Sequence, residues 1–157
     1  MRMARDDGPL IGEFNAEVYR VVASEHLPAA TELYERGRYA LASYVAGLAV
    51  ESILRAYQFR RDPRFDARHD LHLLYRSSKF ELILPQSRAL EYAELIGDVA
   101  ARWNNAHRFR SRDAYARWLK RLKLDRGIKG DYVKENTRRL VHGATQLVDV
   151  GLKQWQA

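Results

Sequence analysis

Between Arg38 and Arg60 the chain reads RYALASYVAGLAVESILRAYQFR, and the seven positions from Tyr44 to Val50 carry no charge. Leu41, Val45, Leu48 and Ser52 fall on one helical stripe, while Tyr44, Ala49, Ile53 and Tyr57 fill the flanking angles. A helix that is apolar nearly all round has to be surrounded by other helices. Ala42, Ala46, Gly47 and Ala49 are small enough to let neighbouring backbones come close. The stretch is too short, and too charged at its ends, to cross a bilayer. It reads as the central helix of a bundle, over 38–60. Glu51 is the exception, because a carboxylate beside such a core needs a partner. In the plainer reading it reaches the bundle edge.

Around that helix the periodicity predicts an all-α, single-domain bundle spanning 1–157, with about five to seven helices. A first helix is expected over 12–26, striped by Phe14, Val18, Val21 and Val22. A second piece starts at Pro28, runs to Arg36 with Ala29, Leu33 and Tyr34 inward, and stops at Gly37. This piece and the central helix should pack as an antiparallel hairpin. Asp70 is placed to cap a short helix bearing Leu71, Leu74 and Tyr75. Phe80 to Leu84 reads as a connector. Ser87 to Trp103 reads as a helix with Leu90, Ala93, Leu95, Ile96 and Val99 as its apolar positions. After a break at 104–112, Ser111 or Asp113 can cap an amphipathic helix bearing Tyr115, Trp118, Leu119 and Leu122. Asp131 is the expected N-cap of a last helix running to about Trp155.

The chain has no cysteine, so disulfides and thiolate metal sites are out of reach. The N-terminal stretch shows no apolar h-region, and no apolar run approaches membrane-spanning length, so a cytoplasmic protein without membrane contact is expected. Net charge is +7, but its distribution says more. From Arg102 to Arg139 thirteen basic residues face four acidic ones, a local balance of +9; the other fourteen basic and sixteen acidic residues leave −2. A polyanion is the natural partner of such a segment, with nucleic acid or nucleotide the first reading and an acidic protein the alternative. Arg108, Arg110, Arg112, Lys120, Lys123, Arg126 and Lys129 are the candidate contacts. Trp103 and Phe109, set among these arginines, can stack on bases or serve as core anchors.

The order of the pieces resembles the HEPN family of small helical domains. The matching residues are Ala46, Ala49, Glu51, Leu54 and Arg55 in the central helix, then His69-Asp70-Leu71, then Arg108-Phe109, over about residues 28–150. The resemblance implies a HEPN-like bundle, a homodimer, and a place beside a nucleotidyltransferase-type partner or in a toxin or defence system. It also implies that the chain can be a metal-independent ribonuclease, since family members carry Arg, four to six residues, then His. Here that motif is matched by Arg102-Trp103-Asn104-Asn105-Ala106-His107. A neutral imidazole can take the proton of a ribose 2′-hydroxyl while a fixed guanidinium stabilises the phosphorane, and no metal or other cofactor is needed.

Two features depart from the family pattern. Trp103 stands where a small polar residue is usual. Five helical positions also rotate two side chains about 140° apart, so Arg102 and His107 converge only if the helix ends between them. Asn104 and Asn105 supply such a break and are candidate supporting residues, as is Glu51. Another apparent match, Arg138-Arg139-Leu140-Val141-His142, has Thr137 where the family variant has Arg, and reads as a decoy whose His142 packs within the last helix. His69 and His72 lie three apart without a third ligand at metal spacing, so no metal site is expected. Three functions therefore stand: a nucleic-acid or nucleotide-binding bundle, a ribonuclease, and a protein-interaction module.

Overall fold

The computed structural model describes residues 14–65 and 67–155. Six α-helices follow one another: α1 (Ala16–Glu35), α2 (Tyr39–Arg61), α3 (Leu71–Ser77), α4 (Ala89–Arg102), α5 (Arg112–Arg121) and α6 (Tyr132–Lys153). Short 3₁₀ turns occupy Phe80–Ile83, Gln86–Arg88 and Asn105–Phe109. No strand occurs among the described residues, so the protein is an all-α bundle. No helix among them is long and apolar enough to cross a membrane.

The two helical pieces expected before the central helix are one. α1 runs through Pro28, and the predicted start over 12–13 lies outside the described residues. Proline removes the N–H that would bond the Ser24 carbonyl, a cost of about 3 kcal/mol in a helix interior. The helix survives because Pro28 faces solvent while Ala23, Leu27 and Ala30 pack into the core. Ala29, expected inward, is exposed for the same reason.

α1 ends in a Schellman turn, with Gly37 at φ +74° and the Gly37 and Arg38 N–H groups bonding the Tyr34 and Leu33 carbonyls, each at 2.9 Å. The chain thus reverses at once, and the α1–α2 contact is the most extensive in the fold.

α2 is the central helix that the sequence implies, and α1, α3, α4, α5 and α6 all touch it. Its deepest face is not the Leu41–Val45–Leu48–Ser52 stripe, which is mostly half-buried. Of that stripe only Ser52 is buried, whereas Ala42, Ser43, Ala46, Gly47, Ala49, Val50, Ile53 and Leu54 all are. Small side chains decide this, because the closest approach goes where the backbone is least covered. At Gly47 a Cβ would lie 1.9 Å from Cδ1 of Trp103, whose indole N–H donates to the Tyr44 carbonyl at 3.1 Å. Glu51 is also buried rather than at the bundle edge. Its carboxylate accepts from His69 Nδ1 at 2.7 Å and Arg55 Nη2 at 3.4 Å, so the core carboxylate has its partners.

α3 is capped by Asp70, whose Oδ1 accepts from the Leu73 N–H at 2.9 Å, and α6 by Asp131 on the Lys134 N–H at 3.0 Å. In α4 the expected apolar face is rotated. Leu90 and Ala93 are exposed, while Tyr92, Ile96 and Val99 are buried. A small second cluster of Ala40, Tyr115, Leu119 and Val133 fixes α5 across the start of α2 and α6.

Candidate nucleic-acid interface

α4 stops at Arg102 because Trp103 turns to an extended conformation and drives its ring against Gly47. Asn104 then caps the 3₁₀ turn, its Oδ1 accepting from the Ala106 N–H at 2.9 Å. This is the break that the Arg-x4-His spacing requires. Across it the two side chains take different hydrogen-bond partners.

Arg102 is buried at 6% exposure, with Nε donating to Asn136 Oδ1 at 3.0 Å and Nη1 to the Asp98 carbonyl at 3.1 Å. Asn136 is a node, since its Nδ2 also donates to the carbonyls of Leu124 and Tyr132, at 2.9 and 2.8 Å. Burial lowers the guanidinium's affinity for its proton, an effect opposed by Asp98.

His107 is 1% exposed and sits edge-on to the rings of Tyr115 and Trp118, with centroids 4.9 and 4.6 Å away. Its partners assign its tautomer. Nε2 faces the Arg102 carbonyl at 2.9 Å, which can only accept, so Nε2 carries the proton. Nδ1 then accepts from Arg110 Nη1 at 3.0 Å. Burial, reinforced by the Arg110 charge and opposed by the carbonyl bond, pulls its pKa down to about 4. The imidazole is therefore neutral at pH 7, as a base requires, yet both its nitrogens are engaged and no face of it is open.

Asn105, the other candidate supporting residue, keeps a buried Oδ1 without a hydrogen-bond partner among the described residues. Glu51 belongs to the His69–Arg55 cluster described above. No group of three histidine, aspartate or glutamate side chains that could hold a metal is found among the described residues.

What His107 does position is Arg110, and with it a cationic surface. Arg110 also donates to Asn104 Oδ1 at 3.2 Å, and its guanidinium lies 5.3 Å from the Trp118 ring centre. Arg110, Ala114, Arg117, Lys120 and Arg121 line a cleft of about 500 Å³. Among the described residues, none of the four cations in this cleft has a carboxylate partner. By contrast Arg20, Arg36, Arg88, Arg138 and Arg139 are all ion-paired. Burial, and to a smaller extent the neighbouring Arg121 charge, lower the Arg110 pKa.

One residue before Arg110, Phe109 is 80% exposed, with the Arg108 guanidinium 4.7 Å from its ring centre. The two aromatic candidates thus part company: Trp103 is a core anchor, and Phe109 stands in solvent among arginines.

The remaining basic candidates are dispersed. Arg112 pairs with Asp131 at 3.1 Å and lies over the Tyr39 ring. Lys123, at φ +62°, and Arg126 are exposed on the turn after α5. Lys129 belongs to a second cleft, of about 380 Å³, with Lys134, Arg138 and Arg139. There Glu135, bonded by Arg138 and Arg139, has its pKa drawn down to about 2. His142, expected to pack within α6, is exposed on it.

Arg117 and Arg121 were not among the individual candidates, although the signal was present. Positions 114, 117, 120 and 121 share one face at helical spacing. Comparisons with protein-family models, with curated proteins and with solved structures returned no match.

Proposed function

We propose that this chain is a HEPN-like helical domain that binds single-stranded RNA through α5 and the turn before it. The observation that carries the reading is the pairing of an exposed Phe109 ring, next in the chain to Arg110, with a cleft whose four cations have no carboxylate partner among the described residues. Cations of this kind attract a phosphate backbone and release its counterions, and an exposed aromatic offers a stacking platform that any unpaired base can use. Duplex RNA hides its base faces, so the single strand is the better match. Homodimerisation and a nucleotidyltransferase-type partner come with the HEPN resemblance and belong to the same proposal.

The test is anisotropy of a labelled single-stranded RNA across a salt series, with a duplex of the same sequence beside it. Affinity should fall linearly with salt on logarithmic axes. The double variant Lys120→Glu with Arg121→Glu should weaken binding and flatten the slope by at least about 1.4, from ~0.7 per lost phosphate contact. Phe109→Ala should cost the single strand about 1–3 kcal/mol and leave the slope alone. Absence of RNA affinity at any salt concentration would overturn the reading in favour of an acidic protein partner.

The ribonuclease reading, with His107 as base and Arg102 as phosphate stabiliser, requires Arg110 to release Nδ1 and the ring to be uncovered. Binding requires neither. Cleavage of the same RNA in EDTA, abolished by His107→Gln with binding kept, would replace the binding reading with catalysis.

A further inference from the structure

Beside the cleft on α5 lies a smaller one, of about 300 Å³, between the α1–α2 turn and the start of α5. Its lining takes in Gly37, Arg38 and Tyr39 from the turn, and Arg110, Ser111 and Arg112 from the other side. Arg110 lines both clefts, so the two adjoin at that side chain.

Three guanidiniums and no carboxylate line the turn cleft. Arg38 is exposed, and its side chain has no hydrogen-bond or carboxylate partner among the described residues. Arg112 is held from two sides: Nη2 meets Asp131 Oδ2 at 3.1 Å, and the guanidinium lies 5.3 Å from the Tyr39 ring centre. A guanidinium has five N–H donors, so one ion pair leaves others for a phosphate. Arg110 is fixed through Nη1 alone, which bonds Asn104 Oδ1 and His107 Nδ1. Its Nε and Nη2 have no partner among the described residues.

Carboxylates mark where the cationic run ends. Asp131 meets it only through the Arg112 pair. The further cleft that Asp131 lines also holds Glu135, which is already paired with Arg138 and Arg139. Glu35 and Asp113, close in sequence to the two walls, are exposed and lie outside the lining.

Resting on the RNA reading above, we infer that the single strand continues from the α5 cleft past Arg110 into the turn cleft, where Arg38 and Arg112 hold phosphates further along its backbone. The binding site thus includes the α1–α2 turn. A short strand is held by the α5 cleft alone, and a longer one by both clefts. Adjoining cations with little counter-charge are what a regularly charged backbone can meet at several points at once. Arg110 and Arg112 are already held in place before the strand arrives, so less order is lost on binding.

The test is anisotropy of labelled oligouridylates of about 4 and about 12 nucleotides on the full chain, lengths that lie within common single-strand site sizes. The salt slope is the readout, because it counts phosphate contacts, whereas affinity also rises with the number of registers a longer strand offers. On the wild-type chain the longer strand should have a slope steeper by at least about 1.4, from two further contacts at ~0.7 each. Arg38→Gln should take about 0.7 off the slope of the longer strand and leave the short strand unchanged. The Arg38 side chain makes no capping bond to α2, so this change spares the fold. Lys153→Gln removes the same charge at the far end of α2, where Trp155 packs edge-on against Tyr57 at 5.1 Å, and should change neither strand.

Equal slopes for the two strands, indifference of the longer strand to Arg38→Gln, or an equal loss in Lys153→Gln would overturn the extension and leave RNA binding at α5 standing. A short strand weakened by Arg38→Gln as much as the longer one would make the turn cleft the primary site and overturn it too. Absence of RNA binding by either strand would remove both readings.

Discussion

Protonating His107 should unfold this protein by a calculable amount. The ring is 1% exposed, and its folded pKa of about 4 lies below the ordinary 6.5 because burial penalises the imidazolium and Arg110 repels it. Between those values the unfolded chain binds the proton and the folded chain does not, so stability rises with pH. The contribution is complete above about pH 7 and is lost as pH falls through 6.5 towards 4. A difference of roughly 2.5 pH units, at 1.36 kcal/mol each, amounts to about 3 kcal/mol. Carboxylates titrate over the lower part of the same range, so the measurement has to be differential. Urea unfolding of wild type and His107→Gln, from pH 4.5 to 7.5, isolates the histidine. The wild-type advantage should hold constant above pH 7 and shrink with a slope approaching 1.4 kcal/mol per pH unit near pH 5. In parallel the His107 ring proton should show no NMR titration above about pH 5. A ring titrating near 6.5, or a difference independent of pH, would refute the enclosed geometry. It would also restore His107 as an accessible base.

Three further perturbations test the packing. Gly47→Ala puts a Cβ inside contact distance of Trp103 and should cost about 3 kcal/mol, seen as a lower urea midpoint at unchanged slope. Arg102→Met keeps the buried stem but strands Asn136 Oδ1, at a cost of about 2 kcal/mol; a loss below about 0.5 would mean that Asn136 finds another donor. Because this change weakens the fold, any effect of it on RNA has to be read at matched folded fraction. Pro28→Ala restores an N–H for the Ser24 carbonyl at an exposed position and should raise stability by about 1 kcal/mol, short of the full ~3 because the helix already accommodates the ring. A fall in melting temperature would show that the proline shape is needed in α1.

Which features were written along the chain and which arose across it follows from the range of the forces involved. Local rules act within a few residues, and they placed the central helix, the Asp70 and Asp131 caps, the Gly37 stop and the break after Trp103, and narrowed the α5 cap to Ser111 or Asp113, of which Ser111 is the cap. The basic segment was equally legible, because charge is a property of composition, and its spacing even contained the Arg117–Lys120–Arg121 face. Tertiary contact alone decided the rest. Whether Pro28 breaks a helix depends on what the other face of that helix buries. What the Arg102 guanidinium bonds depends on Asn136, which approaches from α6, thirty-four positions along the chain from Arg102. Glu51 and Gln58 sit on one helix, and spacing offers Glu51 only Arg55 one turn on; that His69 answers it at 2.7 Å, while Gln58 Oε1 has no partner among the described residues, was decided by packing. The sequence by itself determined a helical bundle with a cationic third; only the packed structure decided which polar groups are satisfied inside it, because hydrogen bonds and burial are settled between segments that pattern and propensity never compare.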